Sequence, residues 1–210
     1  MDKTVTQQQF DGLVAHIWAY FKPLGYRKKG NNFRFYDREN EWGKIVNFQK
    51  SQWGSKDNIR FTVNIGLYLA ECEFYALNKK SGDNFTEPVC AIRNRIGLIT
   101  DYKTDKWYDL NESVDIEKLR ETIERNFTQF VIPYLNKFTT KEDIFLSLSS
   151  PNYGTSAIGV INFGIIKALF YNGYKKQAFN LIEHHLTERK FTADFLQKLE
   201  EIKKELLAVK

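Results

Sequence analysis

Cysteine, proline, histidine and methionine are all scarce: of 210 residues, two are Cys, four Pro, three His and one Met. Cys72 and Cys90 make no disulfide framework, which excludes the stapled secreted scaffolds and leads us to expect both thiols reduced. His184 and His185 are adjacent on an expected helix, so they point to different faces. With His16 alone elsewhere and no Cys-x-x-Cys, no metal site and no cofactor are expected. Long apolar runs are missing too. The most apolar stretch, residues 157–171, is too short to span a bilayer and contains Asn162 and Lys167. Residues 1–9 are polar and carry no signal-peptide core, so the expected location is the cytoplasm, with no membrane association.

Catalytic signatures are equally absent. There is no Gly-x-Ser-x-Gly, no phosphate-binding Gly-x4-Gly-Lys-Ser/Thr and no Gly-x-Gly-x-x-Gly. Glu71 and Glu73 are spaced to share a face at a strand end, as paired carboxylates would, but solvated loop acids are the plainer reading. A cysteine nucleophile with His16 as its base finds no support in spacing, and a lone intracellular Cys is usually a small buried hydrophobe. No catalytic residue is assigned, and a non-catalytic protein is expected.

What is abundant is aromatic and basic. Seventeen Phe, eleven Tyr and four Trp are enough to fill a core and pack a sheet. The net charge of +5 is concentrated: residues 22–60 hold ten basic side chains against four acidic ones, and the rest of the chain is close to neutral. A local basic excess favours anionic partners, whether acidic proteins or phosphate backbones. Arg27, Lys28, Lys29 and Arg34, interleaved with Phe33, Phe35 and Tyr36, form a candidate basic patch. The segment looks superficially like an RNA-recognition strand, but Asn31 stands where an aromatic is required, and Arg34 and Tyr36 fall out of register.

Periodicity predicts an α+β fold. Phe10, Leu13, Val14, Ile17, Trp18 and Phe21 repeat at helical spacing over residues 6–22, and Pro23 and Gly25 stop the helix. Residues 33–36 and 43–51 read as a hairpin about Asn40-Glu41. Residues 59–69 alternate throughout, with Ile59, Phe61, Val63, Ile65, Leu67 and Leu69 on one face, which suits an antiparallel strand with one polar face. Residues 91–100 and 107–110 read as further strands after a polar loop at 78–88. From Val114 the period becomes helical, with Pro133 set to kink or end the run. Thr140 and Asp143 form a capping box. Helices are expected at 157–171, 175–188 and 192–208, with Asn172-Gly173 as a stop signal. The first two resemble a single tetratricopeptide-type hairpin, and one copy does not make a repeat array. The expected architecture is an antiparallel sheet of about four or five strands with the N-terminal helix packed on it, followed by a helical C-terminal subdomain. The expected domains are residues 1–138 and 139–210.

The polar side of that sheet supplies the second candidate surface. If Val46, Phe48, Ile92 and Ile96 face the core, then Asn47, Gln49, Thr62, Asn64, Arg93 and Arg95 face away. Amides and guanidiniums are not the Lys/Glu mixture of an ordinary solvated face, and they fix planar polar groups through paired hydrogen bonds. The other reading is a network in which these groups bond one another beneath a cover.

The fragments LGYRKKGNNF at 24–33, VNFQKS at 46–51, FTVNIG at 61–66, CAIRNRIG at 90–97 and DKWYDL at 105–110 stand in an order and spacing that resemble a bacterial family known as domain of unknown function 4304, over about residues 8–135. The resemblance implies a bacterial source and carries no settled activity. In size and composition the chain is also similar to immunity proteins of bacterial toxin systems. The function expected is a cytoplasmic recognition module binding another protein, with nucleic-acid binding, or an enzyme without a recognisable motif, as alternatives.

Overall fold

The first helix begins where a capping box puts it. In a computed structural model, which describes residues 3–149, 159–187 and 191–209, Thr4 caps α1 (Val5–Phe21) by accepting from the Gln7 N–H, and the Gln7 side chain reaches back to the Thr4 N–H. Gly25, in the left-handed region, ends the short turn that follows. Among the described residues six strands follow, with helices between the later ones: β1 (Arg27–Lys29), β2 (Asn32–Asp37), β3 (Trp42–Lys50), β4 (Asn58–Leu69), β5 (Ile92–Arg95) and β6 (Tyr108–Asn111). They form an antiparallel sheet in the order β1-β2-β3-β4-β5, with β6 paired to β4.

Helices occupy most of the remainder: α2 (Ala70–Leu77), α3 (Ile96–Ile99), α4 (Ile116–Asn126), α5 (Ile132–Asn136), α6 (Lys141–Leu148), α7 (Gly159–Tyr171), α8 (Lys175–Thr187) and α9 (Ala193–Ala208). Between α4 and α5 the run Phe127–Val131 is a π-helical turn, and Pro133 sits in the first turn of α5. A missing proline N–H is tolerated there, so the expected break at Pro133 takes the form of a π bulge. The Thr140 box caps α6 as the sequence indicates. The start of the helix expected at 157 and the end of that expected at 188 lie outside the described residues.

The chain divides into two compact units, interleaved along the sequence. One holds residues 1–36, 43–66 and 94–139; the other holds 37–42, 67–93 and 140–210. The first unit owns an aromatic core. Phe10, Phe21, Phe33, Phe48, Phe61 and Phe127 are all buried, with Phe10 edge-on to Phe61 and Phe48 stacked on Phe127 at centroid distances of 5.1 and 5.7 Å. These six of the abundant rings are spent on packing. In the second unit α2 and α7 approach closely. A Cβ on Gly164 would lie 1.9 Å from the Cys72 carbonyl oxygen, so only glycine fits. Among the described residues, no helix is long and apolar enough to cross a membrane.

Two local expectations are corrected. Residues 91–100 are not one strand: β5 ends at Arg95 and the apolar run folds into α3. Glu71 and Glu73 are not loop acids but lie on α2, where Glu73 is fully buried. On the polar side of β4, Arg60 is exposed while Thr62 and Asn64 are 0 and 3% exposed, which agrees with the reading of a covered network there.

Candidate functional site

Alternation along each strand and pairing between strands decide which side chains share a face. Phe33 enters the core, so Asn32 and Arg34 lie on the other side of β2. The β1–β2 turn at Gly30, whose φ of 57° suits glycine, sets Arg27 opposite Arg34 and Lys29 opposite Asn32. Cross-strand partners share a face, so Arg27 and Lys29 join Asn32 and Arg34 there. Lys28, opposite Phe33, takes the other face. All three β1 residues are exposed.

The same face continues as a chain of amides. Asn47 on β3 donates to the Asn32 Oδ1 at 2.9 Å. Buried Asn64 on β4 donates both amide hydrogens, one to Asn47 Oδ1 at 3.1 Å and one to Gln49 Oε1 at 2.7 Å. Val46 and Phe48 between them are buried. Asn47 is half-buried and Gln49 exposed, so Asn64 organises the chain from beneath while its neighbours reach the surface. The hydroxyl of Thr62 is committed elsewhere, donating to the Lys106 carbonyl at 2.7 Å.

Toward β6 the face ends in an ion-paired cluster. Asp105 accepts from the Arg95 guanidinium at 2.5 Å and from the Trp107 indole N–H at 3.1 Å. The Trp107 ring has Arg95 at 5.2 Å and Arg60 at 5.8 Å from its centroid. Arg60 is in register with Asp109, at 3.8 Å. The Arg95 hydrogen bond holds the Asp105 carboxyl below the usual carboxylate range.

Of the residues expected on one polar surface, Asn47, Gln49 and Asn64 are joined directly, with Asn32, which the sequence reading missed. Thr62 and Arg95 are engaged with the segment before β6. Arg93 belongs to the second unit, where it clamps Glu87 with two hydrogen bonds of 2.6 and 2.8 Å. Of the basic patch, Arg27, Lys29 and Arg34 share the face of the amides and Lys28 does not. Arg60, Asp105, Trp107 and Asp109 were also missed. The alternation of Arg60 with Thr62 and Asn64, and of Asp105 with Trp107 and Asp109, was the available signal.

Two further groups of titratable side chains are buried or paired within the fold. His16 Nε2 lies 2.8 Å from Glu124, whose other oxygen accepts from the Tyr20 hydroxyl, and the two bonds, Tyr20 foremost, lower the Glu124 pKa. Cys72 and Cys90 are both buried and form no disulfide. Burial, with Glu71 nearby, pushes the Cys72 thiol well up, away from the reactive thiolate. Among the described residues, no three His, Cys, Asp or Glu are grouped to hold a metal.

The model of the family described as Domain of unknown function (DUF4304) matches residues 17–137, more than half of the chain, and the protein belongs to that family. The matched region contains every strand of the sheet. No curated protein and no solved structure matches the chain.

Proposed function

We propose that the protein is a non-catalytic recognition module, acting in the bacterial cytoplasm, that docks an acidic protein on the basic, amide-lined face of the first unit's sheet. The observation that carries this reading is the register of β1 on β2: it sets Arg27, Lys29 and Arg34 beside the chain Asn32–Asn47–Asn64–Gln49. Positive charge steers an acidic partner in, and amides held by Asn64 offer pre-set donors and acceptors for its backbone and side chains. A toxin-neutralising role is the form of this reading that the likeness to immunity proteins favours.

A nucleic-acid interface is less well supported on this face. Single-strand binders need open rings. Phe33 is fully buried, Phe35 packs on Tyr26, and the Trp107 ring is flanked by two guanidiniums. The test is affinity capture from native cells at low salt, with and without nuclease, using wild type and the double variant Arg27→Glu/Arg34→Glu. The reading expects a nuclease-resistant acidic protein that the variant loses. Equal capture by both chains, or capture abolished by nuclease, would refute it.

A further inference from the structure

The helix pair α2 and α7 of the second unit carries a separate feature. Glu71 and Tyr75 are one turn apart on α2, so they share a face. Tyr171 ends α7, and its ring packs on that of Tyr75 with centroids 5.4 Å apart and planes inclined at 31°. Asn172, the next residue, donates to Glu71 Oε2 at 2.5 Å and to the Ala168 carbonyl at 2.8 Å. One amide therefore ties the carboxylate to the helix end that bears Tyr171. Burial first, and then the Glu71 charge, raises the Tyr75 pKa, as a carboxylate close to that ring requires.

The arrangement is set before any ligand arrives. Gly173 lies in the left-handed region with φ of 88°. Its N–H bonds to the Phe170 carbonyl at 3.2 Å, and the Tyr174 N–H bonds to the Leu169 carbonyl at 2.9 Å, which together close the helix end. Tyr171 is nevertheless 47% exposed. A ring face and a carboxylate both offer negative potential, and a carboxylate held through one oxygen keeps the other for a second donor.

Two rings that touch this pair already hold lysines. Lys80 Nζ lies 6.0 Å from the centroid of Phe74, which packs on Tyr75, and is paired with Glu41 at 2.6 Å. Lys175 Nζ lies 4.9 Å from the centroid of Phe170, which packs on Tyr171. We propose that Glu71, Tyr75 and Tyr171 form a cation site that docks an arginine side chain of a partner protein, its guanidinium stacked on Tyr171 and bonded to Glu71. Arginine fits better than lysine because its flat, weakly hydrated head stacks on a ring while donating in its own plane. The site belongs to the second unit and rests on no residue of the sheet face in the first.

The test is NMR titration of the full chain with a blocked glycine–serine peptide carrying one central arginine. It is followed at the Asn172 side-chain NH2 and at the Tyr75 and Tyr171 rings. The same peptide with citrulline, which keeps the shape and loses the charge, or with lysine is compared at equal ionic strength, as are free arginine and tetramethylammonium. The arginine peptide should shift these signals saturably, with the citrulline peptide at least about fivefold weaker and the lysine peptide between them. Glu71→Gln keeps an acceptor for Asn172 while removing the charge, and Tyr171→Leu removes the ring. Each should weaken the arginine peptide at least about threefold and melt like wild type. Lys29→Glu should leave this affinity unchanged, which separates the site from the docking face. Absence of a saturable shift in wild type, or citrulline or lysine peptide binding as tightly as arginine peptide, overturns the proposal. Tighter binding of free arginine or tetramethylammonium than of the peptide would make the ligand a small cation and overturn it too. So does undiminished affinity in either variant that melts like wild type. The wild-type ligand comparison decides even if neither variant folds.

Discussion

Arg27 and Arg34 are partners across the β1–β2 ladder, and the next pair on that face joins Lys29 to Asn32. Through Asn32 the basic edge of the sheet is wired to Asn47, and through Asn47 to Asn64 and Gln49. Two surfaces that the sequence presents separately, a basic segment and a set of strand amides, are one face.

Asn64 is the organiser of that face. It is 3% exposed and donates to two carbonyl oxygens. Asn64→Ala should cost about 1 kcal/mol, because a buried side chain loses its hydrogen bonds to the Asn47 and Gln49 carbonyl oxygens. It should also weaken partner binding by freeing Asn47 and Gln49. Urea unfolding measures the first. A loss below about 0.5 kcal/mol would show that the network contributes nothing to the fold.

Asp105 reports on the other end of the face. Its carboxyl is held low first by the Arg95 hydrogen bond and then by that of Trp107. A carboxyl lowered in the folded state stabilises above its unfolded value of about 3.9, and that stability is lost as pH falls through the folded value. Arg95→Gln should therefore raise the Asp105 titration toward the ordinary range, as followed by carboxyl carbon NMR. An unchanged midpoint would mean that the pair is not formed in solution.

In the second unit, Glu73 is fully buried and accepts from the Tyr68 hydroxyl and from both the N–H and the hydroxyl of Ser81, at 2.6–2.7 Å. It ties α2 to the segment that follows it. Glu73→Ala should cost about 3 kcal/mol, since three donors lose one buried acceptor together. A variant unfolding at the wild-type denaturant midpoint would contradict this role.

These residues show where sequence reading succeeds and fails. The first helix, the β2–β3 hairpin, β4 and the α6 cap were legible because each carries a complete local signal: a period, a turn dipeptide or a capping box. α2 was not, because it follows β4 without a break and its N-cap residue is Leu69, which makes no side-chain cap. β1 has only three residues, too few to show a period. α3 was read as strand because its apolar residues continue those of β5. In the site, the amides of β3 and β4 could be assigned by alternation. Asn32 could not, because its role depends on which strands pair and in what register. That is a tertiary property, not a local one.

Lys28 and Lys29 provide the most direct test of the docking face. They are adjacent, both exposed and equal in charge, and both sit on β1 at the end of the strand order, where lysine discourages edge pairing. They differ in face: Lys29 stands with Asn32 and Lys28 with Phe33. Charge reversal at either changes the net charge equally, so long-range attraction falls equally in both. The decisive measurement is the affinity of Lys28→Glu and Lys29→Glu for the captured partner, at matched ionic strength and melting temperature. The account expects Lys29→Glu to weaken binding at least about tenfold more than Lys28→Glu does. Equal affinities, or the larger loss at Lys28, would contradict it.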